Sequence, residues 1–318
     1  MATVTCGIDL GGTKIQAVVL RHHRVAGQNR VATPRDSARA VITAMAGSVR
    51  ASLQEAGAQP SDLVRVGVGS PGEIQAEAGA VSHANNVPGF GGRVRVAEQL
   101  SRALGGVPVV LDNDVRVAIL GEFHRGAGRP YKNLLGVFVG TGVGGGLILN
   151  GELREGRGAA GEIGHTVVRP GGRECSCGRK GCLEAYAGRG RMEFNARRWA
   201  ADGRKTILFD LMRKDKRDRL TSGVIAAALD RKDRMAVGLV DDAVWALGIA
   251  LASAQNLLDL EAIIIGGGLG DRLGRSFVDR VAAAMKPRLF VDQHPPQMLT
   301  TELGDLAGAV GAAVLAGG

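Results

Sequence analysis

Aromatic residues are scarce in this 318-residue chain: two Trp, two Tyr and seven Phe, 3% of the whole. A core built without them has to come from Ala, Val, Leu and Ile, and the 49 glycines imply many tight turns. The same scarcity excludes a function. The formal charge is +9, which raises the question of nucleic acid, yet almost no aromatics interleave with the basic residues to stack unpaired bases. Much of the excess lies between Arg189 and Arg234, where RKDKRDR (213–219) mixes both signs. That pattern reads as a solvated helix face or surface loop and not as a stripe that tracks phosphates. No nucleic-acid partner is expected. Nor does any apolar run approach the roughly 20 residues that span a bilayer, so no membrane association is expected. Cysteines number only four and no secretory leader is recognised, which makes a cytoplasmic chain the expectation. A repeat of about 20–50 residues is absent too, excluding solenoids and propellers.

Three of the four cysteines fall within one stretch, GEIGHTVVRPGGRECSCGRKGCLE, from Gly161 to Glu184. Cys175, Cys177 and Cys182 are close enough in sequence to close on one ion, and His165 precedes them. Three thiolates and one imidazole complete the tetrahedral shell of a closed, structural zinc site. Disulfide pairing is the alternative, but three is an odd number. Free core thiols are another, but the segment is rich in Gly, Arg and Lys. Glu162 and Glu184 flank the ligand set without being needed in it, which suggests two carboxylates that orient a substrate.

Val4 to Leu20 reads as strand, glycine turn, strand, with Asp9, Gly11, Gly12, Thr13 and Lys14 at the turn. The spacing is not that of a P-loop, and β-branched residues follow where a helix should start. Backbone N–H groups at such a tip can hold phosphate oxygens, and Asp9 can orient a magnesium ion or its water. An ordinary hairpin turn is the competing reading. Cys6, inside the strand, reads as a buried thiol. A second unit of this kind runs through Leu134–Val139, GTGVGGG (140–146) and LIL to a hairpin turn at Asn150–Gly151. Gly140, Gly142 and Gly145 satisfy G-x-G-x-x-G, but a dinucleotide fingerprint opens a helix. A turn offering N–H groups and the Thr141 hydroxyl fits better. Two such units imply a duplicated fold with phosphate held between its halves.

Between them, helices are expected at 38–56 and 94–104 and strands at 63–68 and 107–111. Gly69, Pro71 and Gly72 demand an irregular loop, and Asn85 or Asn86 in HANNVPGFGG (83–92) can bond a polyol or form a turn. Asp112, Asn113 and Asp114 follow a strand end, where open α/β sheets bind ligands. One Asp is expected to cap the next helix and leave the other available. Further helices are expected at 190–200, 221–229, 234–258, 272–285 and 306–315. Strands are expected at 261–265, leading into Gly266, Gly267, Gly268 and Gly270, and at 298–301.

Taken in this order, the motifs resemble the ROK (repressor, open reading frame, kinase) family of sugar kinases over nearly the whole chain. Asp9-Leu-Gly-Gly-Thr-Lys14 is similar to the first phosphate loop of that fold, Gly140-Thr-Gly-Val-Gly145 to the second, and Ile264-Ile-Gly-Gly-Gly268 to its adenosine-side motif. The resemblance implies an α/β, two-domain actin-like ATPase (ribonuclease H-like) fold, with mixed sheets flanked by helices and a cleft between domains. The first domain would be 1–115, joined by a C-terminal helix at about 302–318. The second would be 116–301, with a zinc loop at 165–182. It implies ATP and phosphate binding by Asp9, Gly11, Gly12, Thr13, Lys14, Gly140, Thr141, Gly142, Gly267 and Gly268. Asp114 would be the catalytic base, and Gly72, Asn86, Asn113, Asp114, Glu162, His165 and Glu184 would bind the sugar. His165, Cys175, Cys177 and Cys182 would hold structural Zn2+, and Mg2+ would accompany ATP.

The implied reaction is phosphorylation of a hexose 6-hydroxyl, glucose first, with N-acetylglucosamine, N-acetylmannosamine and fructose as alternatives. A non-catalytic sugar sensor is the rival of another class. Some relatives use polyphosphate, but these tend to lack the zinc centre, so ATP is the expected donor. The first phosphate strand begins at Val4, leaving no room for the helix-turn-helix of the family's repressors, and an enzyme is expected. A homodimer, or a dimer of dimers, is the expected assembly.

Overall fold

Short β-branched runs divided by glycine turns fold here as strands, and Ala- and Leu-rich runs as helices. The computed structural model describes residues 3–317. In chain order it has β1 (Val4–Leu10), β2 (Lys14–Arg21), β3 (Arg24–Ala32), α1 (Ala38–Glu55), β4 (Leu63–Ser70), β5 (Glu73–Gln75) and β6 (Ala80–Ser82). Next come α2 (Val96–Ala103), β7 (Val109–Asn113), α3 (Asp114–Arg125), β8 (Leu134–Val139), β9 (Val143–Leu149) and β10 (Glu152–Leu153). Then follow α4 (Glu184–Ala187), α5 (Arg189–Ala201), α6 (Leu208–Lys214), α7 (Ser222–Asp230), α8 (Arg234–Leu258), β11 (Ala262–Gly266), α9 (Gly267–Met285), β12 (Gln297–Thr300) and α10 (Ala307–Leu315). Side chains of Ser37, Asn113, Thr221 and Asp233 accept from the first-turn amides of α1, α3, α7 and α8 and start them.

Two compact units result, Met1–Pro130 with Glu302–Gly318, and Tyr131–Thr301; positions 1, 2 and 318 lie outside the described residues. In the first, the sheet order is β3-β2-β1-β4-β7, with β1 antiparallel to β2 and parallel to β4, and β4 parallel to β7. In the second it is β10-β9-β8-β11-β12, with β8 antiparallel to β9 and parallel to β11, and β11 parallel to β12. The two orders are the same plan. Each glycine hairpin contributes its first strand to the sheet centre, where both faces are covered, which is why β1 and β8 read as near-continuous apolar runs.

The first unit runs to Pro130, past the boundary expected at 115, because α3 stays with it. α10 packs along α3 and against β1 and β4. Its small residues allow backbone to touch backbone. A Cβ on Gly7 would overlap the carbonyl of Ala309, one on Gly67 that of Ala312, and one on Gly311 that of Val117. The returning chain is also tied down by Glu122, a fully buried carboxylate that accepts from the backbone N–H of Ala127 (3.0 Å), Glu302 (3.1 Å) and Leu303 (2.9 Å). Those three bonds satisfy a charge that would otherwise be costly to bury.

In the second unit α8 is the core helix, packed on α9 and α4. It corrects one expectation, since its 25 residues are long and apolar enough to cross a bilayer by length and composition. Yet thirteen of them, from Met235 to Gln255, are buried among protein side chains. Other elements escaped the periodicity reading as well. β3 and the β5–β6 hairpin carry mixed polar residues, and α6 opens the charge-rich stretch, which after Lys214 is exposed.

Candidate active site and metal centre

In the first unit the turn between β1 and β2 is closed by the Gly11 N–H on the Lys14 carbonyl at 2.9 Å, and Thr33 Oγ1 donates to the Gly11 carbonyl at 2.6 Å. A Cβ on Gly12 would overlap the carbonyl of Asn86, so this tip needs glycine where the 83–92 loop lies over it. Lys14 reaches Asp305 at 2.9 Å, and Arg30 pairs with the same carboxylate at 3.3 Å. The Lys14 charge expected to meet phosphate thus has a carboxylate partner. Gly72 takes φ +93 in the turn between β4 and β5, where a Cβ would meet the carbonyl of Ser82 at 2.5 Å.

The Asp112–Asp114 segment differs from its expectation. The helix cap is Asn113, whose Oδ1 accepts from Val115 N at 2.9 Å and Arg116 N at 3.3 Å. Asp112, 4% exposed, pairs with Arg116 one turn on. Asp114 is therefore the first residue of α3, its Oδ1 accepting from Val115 N at 2.9 Å. Capping by Asn is as effective as by Asp, so either assignment suited the sequence.

Asp9 lies at the end of β1, with its carboxyl against Gly308 in the first turn of α10. Burial pushes its pKa up to about 7, and the Asp114 carboxylate adds to the shift. The folded chain then holds a proton that unfolded Asp has released, between about pH 4 and pH 7. Stability from this group is complete below pH 4 and is lost as the pH rises through about 7. Asp9→Asn cannot ionise, so it should out-stabilise the parent at pH 8 by on the order of 2 kcal/mol and match it near pH 4. Urea melts at the two pH values measure this; parallel profiles would contradict it.

In the second unit the turn between β8 and β9 closes by Gly140 N–H on the Gly142 carbonyl at 2.9 Å, and α5 latches onto it. Arg189 N donates to the Gly140 carbonyl (3.1 Å) and Gly190 N to that of Thr141 (2.9 Å). Arg189 is a residue that sequence reasoning missed. Its guanidinium donates to Thr141 Oγ1 (3.2 Å) and Ser222 Oγ (2.9 Å), and a Cβ on Gly268 would lie 3.1 Å from it. It gathers the turn, α7 and the start of α9, and no motif surrounds it. Gly267 and Gly268, which precede the helix expected at 272–285, form the first turn of α9, with Gly267 at φ +79.

The cysteine loop folds as a tight knuckle. Cys175 N donates to the Arg179 carbonyl at 2.8 Å and Gly178 N to that of Cys175 at 3.1 Å. His165 follows from a single 3-10 turn, Ile163–His165. One ligand atom from each of His165, Cys175, Cys177 and Cys182 lies within 4.8 Å of all the others. Cys177 Sγ and Cys182 Sγ are 3.8 Å apart, as are Cys175 Sγ and His165 Nδ1. A tetrahedron with Zn–S arms of about 2.3 Å has edges of about 3.8 Å, so the cluster can hold such an ion. The Arg179 side chain, 3.5 Å from Cys177, lowers that thiol to about 6, while burial and its neighbour Cys177 push Cys182 up to about 12. A cation among the sulfurs is what lets all three ionise together.

Glu162 is exposed, and its backbone carbonyl accepts from His165 N at 3.1 Å. Glu184 is engaged inside the unit. Its Oε2 accepts from Val143 N at 3.0 Å, just past the 140–142 turn, and its Oε1 bonds Ser176 Oγ and lies 3.6 Å from Cys175 Sγ. One carboxylate thus joins the cysteine loop to the glycine turn, a link for which Ser176 offered no sequence signal.

Comparison with known proteins bears out the resemblance over nearly the whole chain. The model of the ROK family matches residues 5–318. A glucokinase of Halalkalibacterium halodurans is 34% identical over 96% of this chain and 92% of its own. Among solved structures, a ROK glucokinase of Streptomyces griseus in complex with glucose and AMPPNP is 32% identical with a TM-score of 0.81, covering 98% of this chain and 99% of that one. A ROK hexokinase of Thermus thermophilus is 31% identical with a TM-score of 0.81, covering 99% and 98%. The expected fold class, α/β with mixed sheets in the actin-like ATPase manner, stands. Because the match takes in both units and both glycine turns, the chain belongs to the ROK family.

Proposed function

We propose that this chain is an ATP-dependent hexose kinase that phosphorylates glucose on its 6-hydroxyl. The observation that carries this reading is the pair of carboxylates at neighbouring strand ends, Asp9 near the end of β1 and Asp114 just past β7, in a chain that matches glucose kinases along almost its full length. Phosphoryl transfer depends on positioning and charge neutralisation more than on covalent chemistry. The amides of Gly11–Thr13 and Gly140–Gly142 bind ATP phosphates, Arg189 adds positive charge beside the second turn, and Gly267 and Gly268 face the adenosine. Mg2+, when bound with ATP, neutralises phosphate charge, and Asp9 is the residue that would orient it or its water. Asp114 takes the proton of the sugar 6-hydroxyl as that oxygen attacks the γ-phosphorus and the bond to ADP breaks.

Gly72, Asn86, Asn113, Glu162, His165 and Glu184 complete the proposed sugar set. With His165 Nδ1 directed at the sulfurs, its second nitrogen carries the N–H donor for a sugar oxygen. His165, Cys175, Cys177 and Cys182 hold a structural Zn2+, whose part is to fix that ring and the loop whose Ser176 bonds Glu184. The chain works as a homodimer or a dimer of dimers.

Coupled ADP-release assays on glucose, N-acetylglucosamine, N-acetylmannosamine and fructose test the reading. The highest kcat/KM is expected on glucose. Sugar-induced thermal stabilisation without ADP release on any of the four would make the chain a sensor and overturn it.

A further inference from the structure

A pocket of about 430 Å3 opens in the second unit beside the cysteine loop, and none of the proposed nucleotide or sugar residues lines it. Arg169, Arg173, Lys180, Arg191 and Arg198 line it against one carboxylate, Glu174. Asp242 pairs with Arg173 and offsets one of the five charges. The remaining excess is not a solvated surface run, because three donors in the pocket wall are buried without a partner: Arg173 Nη1, Arg191 Nε and the Nδ2 of Asn195, a residue 2% exposed. Buried donors without acceptors are costly and uncommon. The wall is also rigid. The Arg173 guanidinium stacks on Tyr186 at 4.8 Å, Arg173 N donates to Tyr186 Oη at 3.1 Å, and Arg191 lies 4.2 Å from the Phe194 ring.

We propose that this pocket binds a phosphate monoester of sugar size. A surplus of guanidinium and amide donors, with a single carboxylate, selects a compact dianion rich in acceptor oxygens. The volume is that of a small-molecule site, and the Tyr186 and Phe194 rings offer apolar faces to a carbon skeleton. Occupancy is coupled to the metal loop, since Arg169, Arg173 and Lys180 belong to it and Tyr186 lies two residues beyond Glu184 on α4. The inference concerns binding alone and is independent of the kinase reading.

Isothermal titration of the full chain with inorganic phosphate and, separately, with glucose 6-phosphate tests it, in the presence of saturating glucose and a non-hydrolysable ATP analogue. One saturable site per chain is expected, with the sugar ester the tighter ligand. The double variant Arg169→Glu, Arg198→Glu changes two exposed side chains and should weaken binding by about tenfold or more while leaving nucleotide binding unchanged. Asn195→Leu should weaken it as well. Equal binding of the two anions would overturn the sugar-ester assignment. Absence of saturable binding, indifference to both variants, or displacement of the anion by the nucleotide analogue would each overturn it.

Discussion

Asp114→Asn is expected to lower kcat by about 10²- to 10⁴-fold, the range over which a positioned general base contributes. The substitution keeps the size of the side chain and an oxygen able to accept from Val115 N, so α3 should start as before. What it removes is the acceptor for the hydroxyl proton. Glucose-induced thermal stabilisation should persist, because the other sugar contacts remain. A second readout separates a lost base from a disturbed fold. Deleting the like charge beside Asp9 should bring the Asp9 pKa down from about 7, visible by carboxyl-carbon NMR. An unchanged kcat would refute the assignment of Asp114.

Stripping the metal should have the largest effect on stability. A ligand present at about a thousand times its Kd stabilises by about 4 kcal/mol, and a unit of this size loses about 2–4 °C of Tm per kcal/mol. Chelation should therefore lower the second unit's transition by about 10 °C, and zinc should restore it. Cys182→Ser, at a fully buried ligand, should reproduce the loss without rescue. Because Glu184 hangs from the same loop through Ser176, the KM for glucose should rise more than that for ATP. A chain whose purified form carries no stoichiometric zinc and whose Tm ignores chelators would contradict this.

Periodicity and turn chemistry were enough for the two glycine hairpins, the long α8 and α9 runs and the helix that closes the chain. In each, the local pattern and the fold agree, so neighbours in sequence settle the outcome. The same holds for the cysteine cluster, whose ligands stand within eighteen residues of one another. Legibility failed wherever a residue's role depends on a partner far along the chain. The Lys14 ion pair with Asp305, 291 positions further on, has no trace in the sequence around either residue. Glu122 carries no signal in its own stretch of sequence, yet it is fully buried and receives the chain's return at Glu302 and Leu303. The domain boundary was misplaced for the same reason, since only α10 packing on α3 keeps α3 in the first unit.

Sequence alone determined what could be written in short-range chemistry: which turns need glycine, which run gathers three thiols and an imidazole, and which strand ends carry carboxylates. Tertiary structure decided which of those groups are already engaged. It assigned the cap to Asn113 and the internal link to Glu184, and brought Arg189 to Thr141 and Ser222. The physical reason is that a hydrogen bond or ion pair depends on distance in space, and the sequence reports only distance along the chain.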